Sequence, residues 1–513
     1  MAEQSVNNKR IAKNTLLLYS RTILVLFVTL YTTKVVLKAL GVVDYGINNV
    51  VGGVVVMFGF LNSSMSSATQ RFISFAIGQN NKERLSRVFG TSVLIHYVIA
   101  GVIFVLSELV GLWLLYTHMD IPSDRMTAAF IVFQCSIVAF VVNVISVPYN
   151  ADIVSHENMN VFAMVSIVEV ALKLIVAFIV LNTSLDRLII FAFLNLAVSV
   201  IIRIIYQIYC SNHYEESRTR SLYDKSLFYE MFSFASWNII GNMAFAFRNQ
   251  GSNILLNMFF GPAVNAARGV SHQVDSAVEQ FVTNLQTAAN PQIIKSYANE
   301  NYSDSIQLTN RISKFSFFLI LVLGLPVIFN IEKILSLWLD SVPEYATQFT
   351  VLILVNGIID SISKPLKTLV KATGQVKWYM IIQGGWYLLA LPTIYTALKL
   401  GYGPISSVLI IVVFTILGTF IRLFLVRAVT EHFSIMNYLK SVLIPTTLTA
   451  VCSVVMCQLV SLYVPDTNIM TLLIRIMFIV LFTIITVVLI GFNKEDRLLI
   501  FNFIKKTLCR RKI

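Results

Sequence analysis

Apolar segments long enough to cross a membrane recur along the whole chain, and this feature constrains its fold more than any other. A transmembrane helix needs about 20 predominantly apolar residues to span the roughly 30 Å hydrocarbon core of a bilayer. Charged residues make up only 13% of the 513 residues, whereas about 25% is typical of soluble domains. The sequence therefore predicts an all-α polytopic membrane protein.

Fourteen apolar runs, separated by short polar breaks, predict about fourteen transmembrane helices. The breaks contain Pro and Gly, which end helices, as in FFGPAVN and YVPDTN. The predicted spans are 15–37, 45–67, 88–116, 126–147, 160–181, 187–208, 228–257, 269–290, 312–334, 346–366, 378–398, 404–426, 440–462 and 471–492.

The basic residues predict the orientation of these helices. Most of the 39 Lys and Arg residues fall in alternate loops, including the basic N-terminus and the tail after residue 493. Cytoplasmic loops of membrane proteins carry such an excess, so we predict that both termini are cytoplasmic. The same loops account for the net charge of +13, and no nucleic-acid partner is expected.

Several classes of function are disfavoured by the sequence. The longest polar connections, 209–227 and 291–311, are too short to fold as soluble domains. No GxxxxGK[ST] phosphate loop or HExxH zinc motif is present. The five cysteines have neither the spacing of metal ligands nor that of a disulfide framework. We therefore predict that the protein is not an enzyme and has no cofactor and no metal site.

Residues 267–281, ARGVSHQVDSAVEQF, place four titratable side chains in a chain that is otherwise mostly apolar. These are Arg268, His272, Asp275 and Glu279, spaced 4, 3 and 4 residues apart. Such spacings put all four on one face of a helix. Ionised groups within a bilayer usually face a partner or an aqueous cavity. The stripe predicts either a wet cavity or salt bridges that lock the two halves of the protein together.

Other predicted spans also carry charge. The first contains Arg21 and Lys34, and Arg21 could alternatively bind lipid head groups. The seventh contains Arg248 beside two amide side chains and without an acidic residue in its own helical turn, which favours a functional role. Glu169 and Lys173 are predicted to neutralise each other as an i,i+4 pair. Three residues near helix ends are expected to extend to the membrane surface: Asp360, Arg422 and Arg475.

A cavity rich in basic, amide and hydroxyl groups favours an anionic and sugar-like cargo. The planar guanidinium of Arg binds phosphate oxygens in pairs, and glycan hydroxyls cannot cross hydrocarbon without compensation. A lipid-linked oligosaccharide combines both chemical features, because its diphosphate and sugars are polar while its polyprenyl tail stays in the membrane. The sequence thus indicates a transporter that shields such a head group from lipid.

Residues 32–78, TTKVVLKALGVVDYGINNVVGGVVVMFGFLNSSMSSATQRFISFAIG, resemble the opening signature of bacterial polysaccharide exporters of the Wzx-type O-antigen flippase group. These exporters belong to the multidrug/oligosaccharidyl-lipid/polysaccharide superfamily. The segment FSFASWNIIGNMAF at the start of the second half is similar as well. A weak internal repeat, with Gly41 aligned on Gly261, is consistent with the two-repeat construction of many transporters.

The resemblance implies two six-helix bundles around a central cavity, with two extra C-terminal helices. The corresponding domains are 1–208, a cytoplasmic linker at 209–227, 228–426, and 427–513. It also implies export of undecaprenyl-pyrophosphate-linked repeat units across the bacterial inner membrane by alternating access, for O-antigen or capsular polysaccharide. The cavity-lining cations that it selects are Arg21, Lys34, Arg248 and Arg268. Membrane lipids and polysaccharide polymerase machinery are expected partners of a monomer.

Alternative functions remain at this stage. A cation-coupled multidrug exporter of the same superfamily would use an acidic cavity, and a peptidoglycan lipid-precursor flippase would share the fold. A membrane-embedded glycosyltransferase, polymerase or ligase is disfavoured, because the outer loops are short. We predict that His272, Asp275 and Glu279 couple transport to protons or sodium ions, since adjacent carboxylates can share a cation. The alternative is that they only neutralise Arg268.

Overall fold

A computed structural model describes residues 2–56, 59–117, 121–218, 224–260, 262–339, 342–465, 468–493 and 497. Within these ranges the regular secondary structure is entirely helical. The α-helices are α1 (Ala2–Val56), α2 (Gly59–Gly78), α3 (Lys82–Leu106), α4 (Leu112–Thr117), α5 (Met126–Ser155), α6 (Met159–Asn182), α7 (Arg187–His213), α8 (Lys225–Phe260), α9 (Pro262–Ala298), α10 (Tyr302–Trp338), α11 (Ala346–Thr373), α12 (Lys377–Leu388), α13 (Ala390–Lys399), α14 (Ile405–Val429), α15 (Ile435–Tyr438), α16 (Ile444–Tyr463) and α17 (Ile469–Thr486).

The fourteen predicted spans coincide with helical backbone in the described residues, with ends shifted by a few residues. Among the described residues, ten helical segments are long and apolar enough to cross a membrane. The span predicted at 269–290 is not among them, because its many polar side chains lower the mean hydropathy of α9. The span at 378–398 is divided into α12 and α13, of 12 and 10 residues. The chain is a multi-pass membrane protein.

Gly41 separates the first two predicted spans within α1. Its φ of 77° and ψ of 173° are not helical, so two helices meet there without an intervening loop. A positive φ of this kind is adopted readily only by glycine, because it lacks a Cβ atom. The predicted repeat partner, Gly261, lies outside the described residues.

Residues Ala12–Ile239 form one compact unit. At its centre α5 packs against α2, α3 and α7, and α6 packs against α7. Ile103 and Val144 belong to the apolar core between α3 and α5, and the rings of Phe89 and Tyr149 meet edge to face at 5.4 Å. These side chains form the apolar core between the helices of this unit.

Residues Met1–Ile11 and Ile240–Ile513 form the second compact unit, so the boundary between the units falls inside α8. Here α11 is the central helix and packs against α9, α10 and α14. Phe349 and Leu335 are fully buried in the core beside it. The last two long helices, α16 and α17, pack against each other and against α10.

The outward-facing side chains of this unit are apolar. Phe424 on α14, Val451 on α16 and Leu473 on α17 have exposed fractions of 66%, 56% and 56%. Apolar side chains of this size would be unfavourable in water but match the hydrocarbon of a bilayer. Polar side chains are instead collected inside the unit, where they form the site described next.

Candidate functional site

The charged stripe of α9 faces a cavity of about 230 Å³ inside the second unit. Arg268, His272, Asp275 and Glu279 all line this cavity. Helices α8, α11, α12 and α14 supply the remaining walls; α11 packs against α9 and α14, and α12 packs against α14. The helical spacing of the four residues thus directs them into a single polar chamber in an apolar unit.

Arg248 on α8 lines the same cavity and is only 4% exposed. Its guanidinium lies 4.7 Å from the ring centroid of Phe245 and 4.5 Å from that of Tyr387. Its Nε atom has no hydrogen-bond partner among the described residues. Aromatic faces attract a cation but leave its N–H groups available. Arg248 is therefore held in place by rings and retains donors for an anion.

Arg268 on α9 is the second buried guanidinium of the cavity, with an exposed fraction of 2%. Its Nη1 donates a hydrogen bond to the hydroxyl of Ser252 on α8. Neither Arg268 nor Arg248 forms an ion pair with a carboxylate in the part of the chain that the structure describes. The idea that Asp275 and Glu279 only neutralise Arg268 therefore has no support in these contacts.

Lys364 on α11 instead pairs with the acidic side of the cavity. Its Nζ contacts Glu279 Oε1 and lies 3.5 Å from Asp360 Oδ2. Asp360 Oδ1 is in turn 3.5 Å from Arg422 Nη1. Arg422 donates further hydrogen bonds to Ser363 Oγ at 2.6 Å and to the Tyr387 hydroxyl at 2.8 Å. These contacts form one continuous charged network across α9, α11, α12 and α14.

The prediction that Asp360 and Arg422 extend to the membrane surface is wrong. Arg422 is 5% exposed, and both side chains point into the helical unit. Arg475 is 9% exposed, and its Nη2 donates to the main-chain oxygen of Phe329 at 3.2 Å. The position of a residue along an apolar span predicts its depth in the membrane. It does not predict whether the side chain faces lipid or a neighbouring helix. The ion pair between Asp360 and Arg422 compensates charges that would otherwise be costly to bury.

Asp275 is the least compensated carboxylate in the cavity. Its Oδ1 has no hydrogen-bond partner among the described residues, whereas Glu279 is paired with Lys364. Gly357 on α11 leaves the space for this oxygen, because a Cβ at that position would lie 3.0 Å from Asp275 Oδ1. His272 lies one turn away on the same face and also lines the cavity.

A second cavity of about 390 Å³ shares several wall residues with the first, among them Glu279, Asp360 and Lys364. Its walls add Lys367 and Lys371, which follow Lys364 on the same face of α11 at spacings of 3 and 4 residues. Lys367 donates a hydrogen bond to the Asn242 side chain at 3.3 Å. Sequence reasoning misses Lys367 and Lys371, because the tenth span is predicted to end at residue 366 and both fall in the loop that follows.

Positive charge predominates in the two adjoining cavities. Six cationic side chains line them against three carboxylates, counted over the described residues. The cations are Arg248, Arg268, Lys364, Lys367, Lys371 and Arg422. The carboxylates are Asp275, Glu279 and Asp360. Such a surface attracts anions.

The unit formed by Ala12–Ile239 contains a separate cavity of about 440 Å³ that includes Arg21. Arg21 Nη2 donates to Ser166 Oγ at 3.0 Å, and its guanidinium lies 5.2 Å from the Phe162 ring centroid. The predicted pair of Glu169 and Lys173 is confirmed, with Nζ and Oε1 2.6 Å apart. Hydroxyl and amide groups cover much of the remaining wall: Thr29, Thr32, Thr33, Asn48 and Asn195.

The structure does not place Lys34 with the other predicted cavity residues. Its side chain is exposed, and the cavity that contains Arg21 is lined by the neighbouring Thr32, Thr33 and Val36 instead. Arg248, Arg268, His272, Asp275 and Glu279 do line a single cavity. Arg21 lies in the other unit.

Comparison with known proteins supports a transporter architecture. Residues 238–396, which include most of the site just described, match the family model MatE. No curated protein matches the chain at a significant level.

Solved structures with the same fold are MATE transporters and a related protein. A crystal structure of a MATE mutant has a TM-score of 0.68 at 12% identity and covers 82% of this chain and 97% of its own. A mutant of the Vibrio cholerae MATE transporter VcmN has a TM-score of 0.68 at 15% identity, covering 85% and 99%. A transporter of the MOP superfamily from Pyrococcus furiosus has a TM-score of 0.67 at 12% identity, covering 83% and 97%.

These likenesses define the class of the protein by its fold. The chain has the all-helical fold of MATE transporters, and its predicted fourteen helices fit that fold. A multidrug resistance MATE family transporter of the MOP (multidrug/oligosaccharidyl-lipid/polysaccharide) superfamily, in an outward-facing conformation, shares this fold with a TM-score of 0.67 at 13% identity.

Proposed function

We propose that this protein exports a lipid-linked oligosaccharide across the bacterial inner membrane for O-antigen or capsular polysaccharide assembly. The observation that carries the proposal is the excess of cations in the adjoining cavities of the second unit. Within it, Arg248 and Arg268 are almost completely buried and have no carboxylate partner among the described residues. Uncompensated buried cations are costly, which favours an anionic cargo that supplies the missing charge.

A diphosphate matches the donors that these residues offer. Arg248 is fixed by two aromatic rings, so its guanidinium is already oriented and loses little freedom when an anion binds. Lys367 and Lys371 extend the positive surface along α11 beyond Lys364. The guanidinium of Arg248 and the ammonium groups of these lysines would together bind the pyrophosphate that links glycan to polyprenyl lipid.

The cavity around Arg21, within the unit Ala12–Ile239, is itself suited to binding sugars. Threonine hydroxyls and asparagine amides offer both donors and acceptors, as glycan hydroxyls require. These uncharged groups allow sugars of different composition to bind by exchanging one hydrogen bond for another. Transport would proceed by alternating access, so that the head group leaves on the opposite side while its lipid tail remains in the bilayer.

Asp275 is the proposed coupling residue. Glu279 is engaged by Lys364, whereas Asp275 Oδ1 has no hydrogen-bond partner among the described residues and borders the cavity. A proton or sodium ion bound there would lower the negative charge of the cavity and favour anion entry. His272, on the same face, lies between Asp275 and Arg268 along α9 and completes the proposed coupling group.

A cation-coupled multidrug exporter is the second candidate. The observation that favours it is the group of three cavity carboxylates, which could hold a cationic drug. For the MOP superfamily transporter from Pyrococcus furiosus, reversed polarity of the binding pocket suggests a different function. By the same reasoning, the basic polarity found here favours an anionic cargo over a cationic drug.

The deciding experiment measures lipid flipping in proteoliposomes. Purified protein is reconstituted with a fluorescent undecaprenyl-pyrophosphate oligosaccharide, and an impermeant sugar-modifying reagent reports the leaflet that carries the glycan. We expect rapid equilibration between leaflets with the unaltered protein and at least a tenfold slower rate with Arg248→Ala or Arg268→Ala. Lys399→Ala, which removes an exposed cation from α13 of the same unit, serves as the matched control.

Equal rates for the two arginine variants and the control would contradict the cargo assignment. Transport of a cationic dye that depends on an ion gradient, without any flipping of the glycolipid, would establish the drug exporter instead. A lipid carrying a peptidoglycan disaccharide-peptide is tested in parallel. Preference for that lipid would identify a peptidoglycan-precursor flippase.

A further inference from the structure

Asp152, His156 and Glu216 form a compact cluster in the first unit, and none of the three lines the cavity that contains Arg21. Asp152 lies in the last turn of α5, His156 directly follows that helix, and Glu216 lies in a short 3-10 turn after α7. His156 Nε2 is 2.7 Å from Glu216 Oε1 and 3.6 Å from Asp152 Oδ1. One ligand atom from each residue lies within 4.8 Å of the other two.

The state of Asp152 is the independent observation that points to a ligand. Its side chain is fully buried beside a second carboxylate, that of Glu216, so the two carboxylates need either a shared proton or a cation between them. Buried carboxylates are normally satisfied by hydrogen bonds, by an ion pair or by a metal ion. His156 Nε2 approaches Asp152 Oδ1 to 3.6 Å, which is too long for a hydrogen bond.

The ring of His156 is held in a defined orientation. It stacks on Tyr214 with ring centroids 4.2 Å apart and an angle of 8° between the planes. The Tyr214 hydroxyl accepts a hydrogen bond of 2.5 Å from the amide of Asn158. These contacts aim Nε2 at the two carboxylates, as the surroundings of metal-binding histidines commonly do.

The cluster is also accessible. A cavity of about 290 Å³ is lined by His156, Glu216 and the loop after α2, and it leads to the outer edge of the cluster. The His156 side chain is 26% exposed, whereas Asp152 lies behind it. An ion entering through this cavity would meet His156 and Glu216 first and Asp152 last.

We propose that Asp152, His156 and Glu216 bind a first-row divalent transition metal ion, with Zn²⁺ the best match. One imidazole nitrogen and two carboxylate oxygens suit Zn²⁺, and the imidazole disfavours Mg²⁺ and Ca²⁺. At Zn–ligand distances of about 2.0–2.2 Å, tetrahedral geometry separates ligand atoms by roughly 3.4 Å. The 3.6 Å spacing already fits, and the 2.7 Å spacing fits after a small rotation of Glu216.

The ion would cross-link the end of α5 to the turn that follows α7. That turn begins the connection from α7 to α8, so the metal would restrict the motion of the start of the 209–227 segment. The sequence predicts no metal site because Asp152 and His156 resemble an ordinary i,i+4 pair, and the third ligand is 60 residues further along the chain.

The test uses the full-length protein in detergent, stripped with EDTA and then dialysed against Zn²⁺. We expect about one equivalent of zinc by mass spectrometry and a higher melting temperature with zinc than without. Glu216→Gln and His156→Ala should both lose the zinc and the temperature shift. Glu83→Gln and His432→Ala change the same residue types away from the cluster and its cavity and should retain both effects.

Cobalt provides a readout that does not depend on stability. Tetrahedral Co²⁺ with nitrogen and oxygen ligands absorbs visible light, so the unaltered protein should show these bands and Glu216→Gln should not. Absence of stoichiometric zinc from the unaltered protein would overturn the proposal. Equal zinc in Glu216→Gln and Glu83→Gln would overturn it as well. Asp152→Asn, which preserves the volume of the buried side chain, adds a third variant in which zinc should be lost.

Discussion

The guanidinium of Arg248 lies against the ring of Tyr387, 4.5 Å from its centroid, while the hydroxyl of that tyrosine accepts a hydrogen bond from Arg422. One aromatic side chain thus orients two buried cations, one in each of two adjoining cavities. The ring contributes about 0.5–2 kcal/mol to the position of Arg248. The Tyr387 hydroxyl holds Arg422, whose Nη1 lies 3.5 Å from Asp360 Oδ1.

This double role leads to a prediction about Tyr387. Tyr387→Phe retains the ring beside Arg248 and should reduce the rate of glycolipid flipping by less than about threefold. The hydrogen bond that it removes contributes about 1.5–3 kcal/mol to the stability of the protein, but it is not a contact with the cargo. Tyr387→Leu removes the ring and should slow flipping about tenfold or more. The measurement is the leaflet assay in proteoliposomes. Equal rates for the two variants would show that the ring does not position Arg248.

Arg248→Lys tests whether the cavity needs a guanidinium or only a positive charge. A lysine keeps the charge but cannot bind two phosphate oxygens with one planar group. We therefore expect Arg248→Lys to flip the pyrophosphate-linked glycan at least about tenfold more slowly than the unaltered protein. A monophosphate-linked glycan should be affected less. Full activity of Arg248→Lys on both lipids would mean that charge alone suffices.

The contact between Glu279 and Lys364 should be energetically significant. A double-mutant cycle with Glu279→Gln and Lys364→Met is expected to give a coupling energy of about 1 kcal/mol, because the pair lines an interior cavity and Lys364 also lies 3.5 Å from Asp360. The exposed pair of Glu169 and Lys173 provides the matched control, and its cycle should give about 0.3–0.5 kcal/mol. Unfolding in detergent supplies the free energies. A coupling energy no larger than that of the control would contradict the network.

Gly357 is predicted to control the position of Asp275. A Cβ at this residue would lie 3.0 Å from Asp275 Oδ1 and 3.4 Å from Ile320 Cδ1, so Gly357→Ala must displace the carboxylate. We expect Gly357→Ala and Asp275→Asn to lose the dependence of transport on a proton or sodium gradient. Gly385→Ala meets no atom within 4 Å and is the control. Retained ion dependence in Asp275→Asn would remove the coupling role.

The ion pair between Arg125 and Asp186, just before α7, should make the stability of the protein decrease at acidic pH. A hydrogen bond from Arg125 to Asp186, at 2.7 Å, lowers the pKa of Asp186 below its ordinary value of 3.8. A carboxylate whose pKa is lower in the folded state stabilises the protein above its unfolded pKa, and this contribution disappears as the pH falls through the folded pKa. The melting temperature of the unaltered protein should therefore fall more steeply than that of Asp186→Asn between about pH 5 and pH 3.

The control for this experiment is Asp124→Asn, which removes a neighbouring exposed carboxylate. Its melting temperature should follow that of the unaltered protein over the same range. At about pH 6, Asp186→Asn lacks the ion pair and is expected to melt at a lower temperature than the unaltered protein. Identical pH profiles for all three proteins would show that the contact with Arg125 contributes no stability.

Helical periodicity made part of the candidate site predictable. Arg268, His272, Asp275 and Glu279 are spaced at 3 and 4 residues in one helix, so their common face follows from the sequence alone. The lysines of α11 follow the same rule, with Asp360 before them. Lys367 and Lys371 were missed because α11 continues to Thr373, beyond the end at residue 366 that hydropathy predicts.

Contacts between distant segments could not be predicted in this way. The pairing of Asp360 with Arg422 joins residues 62 positions apart, and Glu216 approaches His156 across 60 positions. Periodicity assigns a residue to a face of its own helix, but the partner of that face depends on packing. The exposure of Lys34 illustrates the same limit, since its neighbours on the helix line a cavity and it does not.

The lysines of α11 have a consequence for movement as well as for binding. Lys364, Lys367 and Lys371 extend over about 10 Å of helix at a rise of 1.5 Å per residue. A phosphate group travelling along this face would reach the next ammonium before leaving the previous one. Its charge would be balanced at each step, as an ion in a multi-site pore passes between closely spaced sites. In the proposed function, this face would offer a phosphate several closely spaced sites, so that no single site needs to hold it tightly.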